Sequence, residues 1–135
     1  MGQNFNQGRK FSKQSNLALI VEDDEDLRNF AVTLVSEVGF DVIDCDTVET
    51  ALEIMEERGD QIAVVFTDIN LAGELDGVQL AQTVANRWPR VNLIVTSGGQ
   101  RVRLDRLPEK ACFMPKPYQA IDLMVAVEHA RPGSP

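Results

Sequence analysis

Ile62-Ala63-Val64-Val65-Phe66 is an unbroken run of five apolar residues, three of them β-branched, and it leads through Thr67 to the carboxylate of Asp68. A strand with one wet face alternates apolar and polar residues. A strand apolar on both faces is covered on both, which places it in the middle of a parallel sheet. In open α/β sheets ligands bind beyond the carboxyl ends of the strands. Asp68, with the turn-formers Asn70, Gly73, Asp76 and Gly77 behind it, is therefore a candidate site residue. Taken alone, a strand-end aspartate reads more simply as a helix cap or turn residue.

The rest of the chain repeats the theme. Leu17-Ala18-Leu19-Ile20-Val21 is a second fully apolar run and ends in Glu22-Asp23-Asp24-Glu25-Asp26. Asp24 can cap the following helix, and Glu25 and Asp26 suit its positive end, but Glu22 and Asp23 come too early and sit on the strand tip. Leu27, Phe30, Ala31, Leu34, Val35 and Val38 make the helical stripe, stopped by Gly39. Asp41 to Cys45 is apolar only at its centre, as at a sheet edge. Thr47 caps a helix carrying Val48, Ala51, Leu52 and Met55 up to Gly59. After the Asp68 strand, Val78, Ala81, Ala85 and Trp88 form a third stripe, ended by Pro89. Val91 to Val95 is a fourth strand, leading to Thr96, Ser97, Gly98 and Gly99. Residues 97–110 are the least regular, so any helix there is short. Ala111 to Met114 reads as an edge strand, where Pro115 is tolerable. Ile121, Met124 and Val125 mark a last helix, its stripe widened by Leu123 and Val127.

This order is βα repeated five times with a weak fourth helix, which predicts an α/β, flavodoxin-like, doubly wound parallel sheet with strand order 2-1-3-4-5. The expected organisation is a polar tail at 1–15 bearing Arg9, Lys10 and Lys13, a domain at 16–131 and a short tail at 132–135. A chain of 135 residues holds one such core. The formal net charge of −8 argues against a nucleic-acid surface. No apolar run approaches the roughly 20 residues of a membrane span, and the polar start has no signal-peptide core, so a soluble cytoplasmic protein is expected. Cys45 and Cys112 fall on the two outer strands of that order, roughly 19 Å apart at about 4.8 Å per strand step, too far for a disulfide.

Strands one and three are neighbours in this order, so Glu22, Asp23 and Asp68 converge on one crevice. Uncompensated, they repel and raise one another's pKa. A hard divalent cation relieves this, and Mg²⁺ prefers one or two carboxylates together with waters and phosphate oxygens. The fourth strand adds the Thr96 hydroxyl and the fifth the Lys116 ammonium. Carboxylates, a metal, a hydroxyl and a lysine around one crevice suit phosphoryl transfer. Singly, Thr96 reads as a cap, Lys116 as a solvated lysine and Phe113 as a half-buried edge residue. Together they do not.

Glu22-Asp23, Asp68, Thr96 and Lys116-Pro117, each at a strand end and in this order, resemble the receiver domain of bacterial two-component response regulators over about residues 16–131. The resemblance implies that Asp68 accepts a phosphoryl group from a phosphohistidine on a sensor histidine kinase or histidine phosphotransfer protein. It implies that Asp23, Asp68 and the backbone carbonyl of Asn70 bind Mg²⁺, with Glu22 acting through a metal-bound water. Lys116 then pairs with the phosphate, Thr96 hydrogen-bonds to it, Phe113 is the aromatic switch and Lys116-Pro117 is a cis bond. Such a protein is a signalling protein rather than an enzyme, although it assists its own phosphorylation and dephosphorylation. Gly98, two residues after Thr96, departs from the common pattern of a side chain that influences hydrolysis of the acyl phosphate. His129 matches no role.

Other phosphate chemistries fit less well. A haloacid-dehalogenase-type enzyme needs an acid where Asn70 stands. A flavodoxin phosphate loop is incompatible with Glu22 to Asp26, and the P-loop motif is absent. The remaining rival is a receiver-like interaction module that is never phosphorylated. With no effector domain expected after residue 131, output is expected to pass through contacts with a downstream protein. Residues 97–108 are expected to be the most mobile part of the core, and strand five with the last helix to meet the partner.

Overall fold

The computed structural model describes residues 16–71, 76–98 and 104–132. The expected tail at 1–15 and residues 133–135 lie outside them, as do residues 99–103 of the irregular segment. In chain order the elements are β1 (Leu17–Val21), α1 (Glu25–Val38), β2 (Asp41–Cys45), α2 (Val48–Arg58), β3 (Ile62–Asp68), α3 (Gly77–Arg87), β4 (Asn92–Ser97), β5 (Cys112–Pro115) and α4 (Ala120–His129). The five strands form one sheet in the order β2-β1-β3-β4-β5, parallel throughout. β1 and β3 are buried along their whole length, as their apolar runs require.

Alternation along the strands divides the core in two. Leu19, Val21, Val65, Leu93 and Val95 face one way and pack with Val48, Ala51 and Met55 of α2 and Val78, Ala81 and Val84 of α3. Ala18, Ile20, Val64, Phe66, Ile94 and Met114 face the other way and pack with Ala31 and Val35 of α1 and Leu123 and Val127 of α4. The even-numbered set, carried past the apolar rows, becomes Glu22, Asp68, Thr96 and Lys116.

Helix ends follow local chemistry. The Asp24 side chain accepts the Leu27 N–H at the start of α1, and Gly39 ends that helix at φ 111°, in the left-handed region. Thr47 accepts from Thr50 N–H before α2. Asp76 and Gln79 form a reciprocal capping box at α3.

Three readings need correction. The inward face of α4 is Leu123 and Val127, while Ile121 and Val125, expected in the core, are 59% and 46% exposed. The helix is apolar nearly all round, so periodicity did not choose its face. Phe30, also placed in the core stripe of α1, is 41% exposed and sits beside the Tyr118 ring. Between β4 and β5 the described residues contain no α-helix, only the 3-10 turn Leu104–Arg106. The expectation of mobility at 97–108 falls partly outside the described residues.

Candidate functional site

β1 and β3 are adjacent, with Val21 opposite Thr67, and β4 lies on the other side of β3 with Thr96 opposite Asp68. The residues just past each tip therefore meet at the carboxyl edge. Carboxylate oxygens of Glu22, Asp23 and Asp68 all lie within 4.8 Å of one another. Glu22 and Asp68 are buried and Asp23 is exposed. The Glu22 carboxylate accepts the Asp24 N–H at 3.1 Å. Arg28 braces the same tip, donating to the Glu22 carbonyl at 2.9 Å and to Asp44 of β2 at 3.1 Å.

Lys116 closes the group from β5. Its Nζ donates to Asp68 Oδ2 at 2.6 Å and to Glu22 Oε1 at 3.2 Å. This corrects the expectation of an uncompensated acid cluster, in which Lys116 was reserved for a phosphate. Two of the three carboxylates already share its ammonium. Burial pushes the Glu22 carboxyl above its ordinary value, and neighbouring Asp68 adds to the rise against the opposing Asp24 N–H and Lys116. Burial alone lowers the Lys116 pKa, but its bonds and charge contact with Asp68 and Glu22 outweigh that, and the net direction is up.

Thr96 is fully buried, and its hydroxyl has no hydrogen-bond partner. Buried hydroxyls are normally satisfied, so this one is poised for a group not made by the chain. Asn70 sits beyond Asp68: its N–H donates to Asp68 Oδ1 at 2.9 Å and its side-chain amide to Ser97 Oγ at 2.9 Å. Phe113 is half-buried and packs with the α2/α3 side of the core, while the even-numbered Thr96 belongs to the opposite side. The Lys116–Pro117 peptide is cis. His129 is exposed in the last turn of α4, away from these groups in the sequence and in its element.

Two neighbours went unsingled in the sequence. Ser97 ties the Asn70 loop to β4, and its position directly after Thr96 was the available signal. Tyr118 stands two residues past Lys116, its ring edge-on to Phe66 at 5.9 Å, and its buried hydroxyl also lacks a partner. Burial, and then the nearby Glu22 charge, push that phenol up to about 12.

The donor set fits a hard cation. Three carboxylates with converging oxygens supply the ligands that Mg²⁺ takes, and strand tips hold two of them in place. A doubly wound parallel sheet with an acid cluster, a lysine and an unsatisfied hydroxyl at its carboxyl edge defines a phosphate-handling α/β domain.

Comparison with known proteins identifies the family within that class. The family model for the response regulator receiver domain matches residues 18–128, and the chain belongs to that family. It is 30% identical over 128 residues to the sensor kinase CckA of Brucella abortus (strain 2308), covering 89% of this chain but 13% of the kinase. The response regulator receiver protein CpdR of the same organism is 29% identical over 113 residues, covering 82% of this chain and 92% of CpdR. Among solved structures, the receiver domain of NtrX from Brucella abortus superposes with a TM-score of 0.74 at 26% identity, over 87% of this chain and 99% of that one. The chain is thus a two-component receiver domain with the flavodoxin-like fold. Among the described residues no helix is long and apolar enough to cross a membrane.

Proposed function

We propose that the chain is a cytoplasmic phosphoacceptor in a two-component phosphorelay, taking a phosphoryl group from a phosphohistidine on a sensor histidine kinase or histidine phosphotransfer protein. The observation that carries this is the Lys116 Nζ–Asp68 Oδ2 contact at 2.6 Å, beside the buried, unpartnered hydroxyl of Thr96 at the adjoining strand position. An Asp68 oxygen forms the new O–P bond, the N–P bond breaks, and its electron pair stays on the donor nitrogen. Lys116 moves its hydrogen bond from the free carboxylate to the phosphoryl oxygens, and Thr96 donates to another. Asp23, Asp68 and the Asn70 carbonyl would hold Mg²⁺, with Glu22 acting through a bound water. The ion supplies charge neutralisation for the transferred group.

Drawing Thr96 toward the phosphoryl group pulls in the end of β4 and leaves room for Phe113 to turn inward. The altered β4–β5 side then changes contacts with a downstream protein. In this reading the chain is a switch that assists its own phosphorylation and dephosphorylation, not an enzyme acting on other substrates. The experiment is incubation with acetyl phosphate, read by intact mass. One phosphoryl adduct is expected, dependent on Mg²⁺ and absent in Asp68→Asn. An adduct that persists in Asp68→Asn would move the nucleophile elsewhere. No adduct with any donor would favour the unphosphorylated interaction module.

A further inference from the structure

Beside the acid cluster lies a cavity of about 300 Å³ lined by Leu27, Phe30, Gly98, Lys116, Pro117 and Tyr118. Its walls are apolar or aromatic except at Lys116, whose ammonium is the group that holds Asp68. Tyr118 is fixed by ring contacts to Phe66 at 5.9 Å and Phe30 at 6.2 Å. A phenylalanine would keep both contacts. The hydroxyl adds a buried donor with no partner, which costs stability unless something bound accepts from it.

We propose that this cavity seats the imidazole ring of the phosphohistidine donor, with the Tyr118 hydroxyl as its hydrogen-bond donor. The inference rests on Asp68 being the phosphoacceptor. A flat ring with apolar faces and one in-plane acceptor matches a pocket of Leu27, Phe30 and Pro117 walls with one phenol. Lys116 borders both the cavity and Asp68, so the ring and the phosphoryl group it carries are held side by side. In the transfer, the Asp68 oxygen bonds to phosphorus and the N–P bond breaks. The electron pair remains on that ring nitrogen, which takes a proton from water. Tyr118 donates to the other ring nitrogen throughout, drawing electron density from the leaving group. Tyr118 and Phe30 would therefore set donor preference, while Asp68 and Lys116 serve any donor.

The test compares phosphoimidazole, which has the ring, with acetyl phosphate, which does not, as rates of Asp68 labelling in the full chain. Tyr118→Phe is expected to slow labelling by phosphoimidazole roughly five- to tenfold, the worth of one neutral hydrogen bond. Its acetyl phosphate rate should stay within about twofold, the level expected when no hydrogen bond is lost, and that rate also reports that the variant is folded. Phe30→Ala should raise the half-saturating concentration of phosphoimidazole several-fold and leave that of acetyl phosphate unchanged. Equal loss with both donors, or loss with neither, would overturn the proposal. A wild-type chain labelled by neither donor would instead overturn the phosphoacceptor reading, and this inference with it.

Discussion

Between β3 and β4 the chain crosses through α3, an 11-residue helix that buries Val78, Leu80, Ala81 and Val84. Between β4 and β5 the described residues hold only the 3-10 turn Leu104–Arg106, tied back by Gln82 Nε2 to the Arg106 carbonyl at 2.6 Å and followed by the half-buried Leu107. The first crossover is locked to the site itself. Gly77 N–H donates to the Ile69 carbonyl at 2.9 Å, and a Cβ on Gly77 would lie 2.0 Å from the Asp68 carbonyl oxygen. On the second side a Cβ on Gly98 would meet only Lys116 carbons, at 3.5 and 3.6 Å. The half that presents the nucleophile is clamped, and the half that would read the phosphate is loosely joined. A switch needs that asymmetry, because the response travels through whatever costs least to move.

The sharpest way to break this comparison is to add one methyl group to each half. Gly77→Ala is expected to cost about 3 kcal/mol in urea unfolding, since backbone atoms rather than a flexible side chain stand in the way. Gly98→Ala should stay within about 0.5 kcal/mol. Similar losses at both sites would remove the asymmetry.

Next in size is the metal. At a hundredfold excess over its Kd, Mg²⁺ should add roughly 2.7 kcal/mol and raise Tm accordingly. Asp23→Asn should weaken that response and stabilise the metal-free protein by relieving repulsion. An undiminished Mg²⁺ response, measured by thermal melts, would mean the ion sits elsewhere.

Lys116→Met cuts the tie between the halves and should cost about 2 kcal/mol near neutral pH, because Glu22 and Asp68 lose their shared counter-ion. The sign with pH follows from Glu22, whose folded pKa lies above 4.5. Its protonated form favours the folded state, so stability falls as pH rises through that raised value. The Lys116→Met deficit should therefore shrink as pH is lowered toward 4.5. A deficit that grows on acidification would contradict the pairing.

The smallest effect compares the two edge strands. Cys45 on β2 is buried and its thiol is pushed up to about 11 by burial, whereas Cys112 on β5 is exposed. Cys112 should react with a thiol reagent at once and Cys45 only on unfolding. The Cys45 contribution to stability, present below pH 9.0, should fade as pH rises from 9.0 through about 11. Cys45→Ala should lack that slope in pH-dependent unfolding.

Much of the fold was legible because burial on both faces leaves a composition that only central parallel strands tolerate. β1 and β3 announced themselves that way, and Asp24, Thr47 and Gly39 marked helix ends by hydrogen bonds made within a few residues. The face of α4 was not legible. Ile121 and Val125 are as apolar as Leu123 and Val127, and which pair turns inward is settled by how α4 lies on α1 and β4.

The sequence by itself determined which residues end the strands, and therefore that Glu22, Asp23, Asp68, Thr96 and Lys116 would gather at one edge. Local propensity and the period of two are enough for that. Only the tertiary structure decided who meets whom there. Lys116 lies 94 residues from Glu22 and 48 from Asp68 along the chain, and it bonds both because β5 and β1 flank the β3–β4 pair. The unpartnered hydroxyls of Thr96 and Tyr118, and the cavity under Phe30, likewise depend on distances of a few tenths of an ångström between segments remote in sequence. Hydrogen bonding is that steep with distance, and no pattern read along one chain carries such information.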